Sequence, residues 1–299
     1  MSAQSAAKAK QAPAEYRHIT VTPYSAALGA EIGGVKLSEK LRPEVAEEIR
    51  RAWLENIVVF FRDQELTPQQ QHDFLANFGP IRFPPPEQSF IPKDKDVQSV
   101  LIQEYDQASR IGADVDWHAD NSFREIPQKC SVLYGVDIPA TGGDTCWVNM
   151  VAAYEALAEP VRKMCDELTA IHDLVATMGP GVRAQAGNKA FTSFAERTPA
   201  VEHPVVRVNP DTGKRCLYVN PLMTARIKDV SPIESRALLD MLFAHCTQEE
   251  FMLRFKWQKG SVAFWDNRSA IHRGINDFYP QHRLMHRVSI DEESRPTAS

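Results

Sequence analysis

Residues 282–290 read HRLMHRVSI, and the face that each side chain takes in this run decides the fold. With the period of two that a strand imposes, Arg283, Met285 and Arg287 share one face, and His282, Leu284, His286 and Val288 share the other. Arginine is seldom buried without a partner, so two of them on an inward face call for anionic ligands. The alternative is a solvated edge strand with both guanidinium groups in water.

Working outward, short β-rich runs alternate with loops over most of the chain: VQSVLIQEY, DVDWHAD, CSVLYGVDIP, TCWVNM, HPVVRVN, CLYVNP, FMLRFKW and SVAFWDN. Near the start, HITVTPYSAALGAEIGGVKL (18–37) suits two strands joined by a turn, and IVVFFRD (57–63) reads as a buried strand. Helices are expected over RPEVAEEIRRAWLEN (42–56), where Val45, Ile49 and Trp53 recur at spacing four, and over TPQQQHDFLANFG (67–79), capped by Thr67. Two further helical inserts are VAAYEALAEPVRKMCDEL and SPIESRALLDMLFAHCTQ, the second entered through Ser231, Pro232 and Glu234. NPDTGKR is a hairpin turn. Many short strands with helices outside them predict a mainly β, α+β protein, a double-sheet jelly roll able to hold a metal in its open mouth. One domain is expected over residues 16–299, after a flexible leader at 1–15. The stretch from Ala176 to about Ala200 has no clear period and is a candidate lid.

The composition narrows the function. The chain has 299 residues, 43% hydrophobic and 24% charged, as in ordinary globular proteins. Its 34 basic and 39 acidic side chains give a formal charge of −5 without long single-sign runs, so there is no footprint for nucleic acid. No run is long enough to span a membrane, and the N-terminal residues have no apolar core of a secretion signal, which makes a cytoplasmic location the expectation. Cys130, Cys146, Cys165, Cys216 and Cys246 form no CxxC pair and read as reduced thiols.

Chemistry concentrates in DWHADNSF (116–123) and FWDNRSAIHRG (264–274). In a strand His118 and Asp120 point to the same side, where both can reach one metal. A single HxD is common by chance, and Asp120 could equally be a turn residue before Asn121 and Ser122. His272 completes a set of two imidazoles and one carboxylate, the facial triad that holds non-haem Fe(II) and leaves positions open for O2 and substrate. The arginines beyond it suit a carboxylate such as the far end of 2-oxoglutarate. Asp266 and Asn267 are expected to orient His272. His18, His72, His172, His203 and His245 have no ligand-spaced companion, and His282 and His286 lie opposite the arginines.

These runs together carry a resemblance. ATGGDTCW after WHADNSF, WDNRSAIHRGINDF and HRLMHRVSI resemble the taurine dioxygenase and chlorophenoxyacetate dioxygenase family of Fe(II)/2-oxoglutarate oxygenases. YSAALGAEIGGVKL and VVFFRDQELTPQQQHDFLANFG resemble the same family, so the likeness covers nearly all of the chain outside the leader. It implies a double-stranded β-helix, a cupin-like jelly-roll barrel. It implies that His118, Asp120 and His272 bind iron, that Thr145 and Arg283 bind 2-oxoglutarate, and that Arg287 binds the anionic head of the substrate. A carboxylate at Asp120 implies hydroxylation, since related halogenases carry a small residue there.

The implied reaction hydroxylates a small anion while 2-oxoglutarate and O2 become succinate and CO2. Hydroxylation at a carbon bearing a sulfonate, sulfate ester or ether oxygen leads to C–S or C–O cleavage. Family members commonly form dimers or tetramers, so a homo-oligomer is expected. The run RFPPPE after NFGP lacks the histidine expected opposite a sulfonate, and Asp114 stands where an amide is expected. Another anion or a bulkier apolar tail than taurine's is therefore implied. Candidate substrate contacts are Arg287, Asn121 and Asp114, with Phe83, Phe90, Tyr134, Leu222 and Met223 as candidate walls. The rival readings are a cupin-type metalloenzyme that needs no 2-oxoglutarate and a non-catalytic binding protein.

Overall fold

The computed structural model describes residues 15–83, 92–106 and 116–298. Most of the expected leader, Phe90 and Asp114 lie outside these residues. The fold is mainly β with six helices among the described residues.

A seven-stranded sheet forms the main wall. Its strands are β1 (Thr20–Pro23), β2 (Ala30–Gly33), β3 (Val58–Phe61), β4 (Leu101–Tyr105), β5 (Gln128–Asp137), β13 (Val262–Asp266) and β15 (Arg283–Asp291), in the order β1-β2-β3-β13-β5-β15-β4. Every pairing is antiparallel except β2 with β3. A three-stranded sheet carries β12 (Met252–Phe255), β6 (Thr145–Asn149) and β14 (Ala270–Gly274) in that order. Apolar residues of the two sheets meet in one cluster: Val58, Phe60, Leu133, Trp265 and Met285 from the first, Trp147, Leu253 and Phe255 from the second. Phe60 stacks on Phe255 at 4.0 Å between ring centroids. A sheet buried on both faces needs continuous apolar runs rather than alternation, and β3 and β13 have them.

Helices cover the outer face of the large sheet. Helix α1 (Pro43–Asn56) buries Val45, Ile49, Ala52 and Trp53, the stripe expected from their spacing, and Trp53 stacks on Phe264 at 4.5 Å. Helix α2 (Pro68–Ala76) begins with a capping box between Thr67 and Gln70. Two smaller sheets complete the fold, β11 (Thr224–Ile227), β7 (Thr169–His172) and β8 (Val201–Pro204) in one, β9 (Val206–Val208) and β10 (Arg215–Leu217) in the other. NPDTGKR turns between β9 and β10 as expected, with Gly213 at φ +67°. Helix α6 (Pro232–Cys246) starts at the expected capping box of Ser231 and Glu234.

Two expected segments differ. The single helix expected over 151–168 is two, α3 (Met150–Ala156) and α4 (Glu159–Glu167), with Leu157 and Ala158 extended between them. Pro160 has no N–H for the carbonyl of Ala156, so one helix cannot run through. The segment read as irregular from Ala176 onward is largely helix α5 (Leu174–Arg197), bent at Gly187, where φ is +80°. Phe191 folds back against Gly179, where a Cβ would lie only 2.9 Å from its ring. Only Leu174 and Gly179 are buried along α5, so no apolar period existed to be read.

All five cysteines are buried thiols. Burial pushes Cys130, Cys216 and Cys246 up to about 12, which keeps them protonated.

Candidate active site

The three triad residues meet where the edge of the small sheet faces the large one. β14 delivers His272, and a single bridge pairs it with His118 through N–H to carbonyl bonds of 2.8 and 3.0 Å. The expected strand through His118 and Asp120 is reduced to that one bridging residue. A turn follows, with Asn121 at φ +54°, a conformation that asparagine tolerates better than most residues. The turn brings Asp120 back toward both imidazoles.

The resulting geometry suits a metal. Asp120 Oδ1 lies 3.6 Å from Nε2 of His118 and 3.6 Å from Nε2 of His272. The ligand atoms of all three lie within 4.8 Å of one another. His118 Nδ1 is 2.8 Å from the carbonyl of Asp116, which fixes the tautomer that leaves Nε2 free to ligate. Burial pushes His118 below the usual imidazole range and His272 down to about 3, so both are neutral at physiological pH. Burial alone would raise Asp120. The Arg287 guanidinium, with His272 and His118, overcomes that and holds the carboxyl well below its usual range. Two neutral imidazoles and an ionised carboxylate form a donor set that fits Fe(II).

The two arginines lie four residues apart on β15, and their surroundings differ. Arg283 is buried, and burial pushes its ionisation downward. It makes no hydrogen bond or ion pair with a described residue; its guanidinium lies 5.9 Å from the Tyr105 ring and 5.8 Å from that of Phe278. The loop Gly142–Gly143 passes beside it, and a Cβ on Gly143 would stand 3.3 Å from the Arg283 side chain. Asp277 pins that loop by accepting from Gly143 N at 2.9 Å. Thr145, two residues on, is buried with its hydroxyl accepting from Trp257 Nε1 at 2.9 Å.

Arg287 is engaged. Its Nη2 contacts Asp120 Oδ2 and lies 3.0 Å from Gln128 Oε1 and 3.1 Å from Ser131 Oγ. Its Nε is buried without a partner among the described residues. The residue thus links a metal ligand to the space beside it.

Other candidates divide. Asn121 is buried next to Asp120 as the turn residue. Leu222 and Met223 join Phe123, Leu174 and Phe194 in a small apolar cluster beside the turn, which ties α5 to the site. Tyr134 is no wall of this space: its side chain belongs to the core under the helices, and its hydroxyl donates to the carbonyl of Gln64 at 3.2 Å. Phe83 is 67% exposed. Asn267 orients Asp120 rather than His272, accepting from Asp120 N at 3.2 Å, while Asp266 pairs with Arg268. Ser131 and Gln128, both buried, were not anticipated; Ser131 lies inside a run read only for its β propensity, and Gln128 two residues ahead of that run.

A mainly β fold holding this ligand set with inward arginines defines the mononuclear non-haem iron oxygenase class. The sequence model of the taurine catabolism dioxygenase TauD, TfdA family matches residues 20–289. The chain belongs to that family. An α-ketoglutarate-dependent sulfate ester dioxygenase of Pseudomonas putida is 36% identical over 92% of this chain and 90% of its own. An alkylsulfatase of Acinetobacter baylyi is 33% identical over 89% of this chain and 83% of its own. The crystal structure of a taurine dioxygenase from Burkholderia xenovorans, 37% identical, superposes with a TM-score of 0.80 over 94% of this chain and 91% of its own.

Proposed function

We propose that the protein hydroxylates a sulfate ester at the carbon bearing the ester oxygen, so that the product collapses to an aldehyde or ketone and inorganic sulfate. The enzyme is an Fe(II)- and 2-oxoglutarate-dependent dioxygenase. Iron and 2-oxoglutarate when bound supply the activation of O2, with succinate and CO2 as coproducts. The observation that carries the substrate class is Arg287, a partly buried guanidinium in contact with a metal ligand, whose Nε has no hydrogen-bond partner among the described residues. A sulfate ester dioxygenase 36% identical and an alkylsulfatase 33% identical support sulfate esters over aryloxyalkanoates, and a taurine dioxygenase 37% identical makes a sulfonate the alternative that the test below decides.

His118, Asp120 and His272 hold the metal. Arg283 with the Thr145 hydroxyl receives the distal carboxylate of 2-oxoglutarate, which gives a buried cation without an ion-pair partner among the described residues its counter-charge. Arg287 receives the sulfate, and Asn121 and Asp114, the latter outside the described residues, are the further substrate contacts in this reading. The cluster of Leu222 and Met223 borders the apolar tail, and α5 (Leu174–Arg197) serves as the lid, anchored through Leu174 and Phe194. The two packed sheets are read as a jelly roll. The chain acts as a homo-oligomer in the cytoplasm, where its thiols stay reduced and 2-oxoglutarate is at hand; among the described residues no helix is long and apolar enough to cross a membrane.

The test is anaerobic absorption of the protein with Fe(II) and 2-oxoglutarate, titrated with alkyl sulfates, sulfonates and aryloxyalkanoates. A charge-transfer band that shifts with alkyl sulfates alone supports the reading. A shift only with sulfonates or aryloxyalkanoates overturns the substrate class. Bound iron with no band favours a cupin-type enzyme that works without 2-oxoglutarate.

A further inference from the structure

Behind Asp120 lie the buried side chains of Ser131, Asn267 and Trp265, to which neither iron nor substrate has been assigned, joined to Arg287. Asn267 Oδ1 accepts from the main-chain N–H of Asp120 at 3.2 Å and from Trp265 Nε1 at 2.9 Å. Those two donors fix the orientation of the amide, and its Nδ2 donates to Ser131 Oγ at 3.2 Å. Arg287 Nη2 donates to the same hydroxyl oxygen at 3.1 Å. A serine hydroxyl has two lone pairs and one proton. With both lone pairs occupied, Ser131 has only its proton to give. The nearest acceptor is Asp120 Oδ2 at 3.0 Å, ahead of Ser289 at 3.2 Å and Gln128 at 3.3 Å. It is also the charged one, which makes that bond the stronger.

The two oxygens of Asp120 therefore have different surroundings. Oδ1 faces the two imidazoles at 3.6 Å. Oδ2 is held from behind by Ser131 and Arg287. Ser131 and Asn267 are almost wholly buried, so water cannot replace either one.

We propose that Ser131 and Asn267 are positioning residues that clamp the side chain and main chain of Asp120, presenting Oδ1 alone to the iron. The inference rests on the metal assignment made above. Partners behind metal ligands orient them, and their loss typically weakens metal binding or activity about 10- to 100-fold.

The test is Fe(II) affinity, measured anaerobically by calorimetry without 2-oxoglutarate, so that turnover is not needed. Ser131→Thr and Ser131→Val add the same volume and differ only in the hydroxyl. The Val variant is expected to bind Fe(II) about 10- to 100-fold more weakly than the Thr variant. Ser131→Ala should match Val. Ser289→Ala removes the neighbouring hydroxyl, which does not touch Asp120, and should stay within about threefold of the unaltered protein. Equal affinity in the Thr and Val variants overturns the proposal, as does a loss in Ser289→Ala as large as in Ser131→Ala. Failure of the unaltered protein to bind Fe(II) would instead remove the metal assignment itself.

Discussion

Replacing Arg283 by Met should separate the ligand from the fold. The side chain is buried and its guanidinium makes no hydrogen bond or ion pair with a described residue, the rings of Tyr105 and Phe278 lying near 6 Å. No described residue pairs directly with this buried charge, which Asp144 offsets only at longer range, and a buried ion without a close partner destabilises. Met is of similar length and apolar, so Arg283→Met should leave the thermal midpoint of the apoprotein unchanged or raise it. Binding should move the opposite way. Truncating one partner of a buried, hydrogen-bonded charge pair costs about 2–5 kcal/mol. At about 1.4 kcal/mol per tenfold, the dissociation constant for 2-oxoglutarate should rise about 30- to 4,000-fold. Calorimetric titration of the Mn(II)-loaded protein without O2 reads that constant, and a melting curve reads the other. A dissociation constant within threefold of the unaltered one, or a large fall in stability with binding preserved, would refute the assignment and make Arg283 a structural residue.

Other outcomes follow from the same geometry. Asp120→Ala removes a ligand rather than an outer partner, so Mn(II) affinity should fall by more than about 100-fold, the upper end of outer-partner losses; retention of the metal would contradict the triad. Arg287→Ala should weaken alkyl sulfate binding by at least about tenfold while 2-oxoglutarate affinity stays within threefold; unaltered sulfate affinity would remove the anion site. His172 and His203 are buried against each other and held neutral, His172 down to about 3 and His203 down to about 4, chiefly by burial. The unfolded chain takes up these protons first, near pH 6.5, so stability is full above that pH and falls as the pH drops toward the folded values. This pair should lower apoprotein stability by about 3 kcal/mol between pH 6.5 and 5, with the similarly depressed His272 and His118 adding to the fall, read from urea midpoints. A flat profile over that range, or one that His172→Gln does not flatten, would show that the pair is not held neutral.

The site was more legible than its framework. Residue type and spacing carried His118, Asp120, His272 and the two arginines, because metal chemistry restricts ligands to a few side chains. The strand expected to align His118 with Asp120 is instead one bridge and a turn at Asn121, which reaches the same convergence by another backbone route. Helix α1 (Pro43–Asn56) was plain because its buried stripe is periodic. Helix α5 (Leu174–Arg197) was not, since Gly179, Pro180 and Gly187 mask helical propensity and its exposure removes the period. The strands Thr169–His172 and Thr224–Ile227 went unread because each is only four residues long beside stronger helical signals. Tyr134 shows the limit of one-dimensional reading: its neighbour Leu133 packs between the two sheets, while its own side chain enters the opposite core.

The most direct measurement is the stoichiometry of products from a medium-chain alkyl sulfate incubated with the Fe(II) enzyme, 2-oxoglutarate and O2. Inorganic sulfate, the matching aldehyde and succinate should form in a ratio of one to one to one. Sulfate released with the alcohol and no succinate would mean hydrolysis, and succinate without sulfate would mean that sulfate esters are not the substrate.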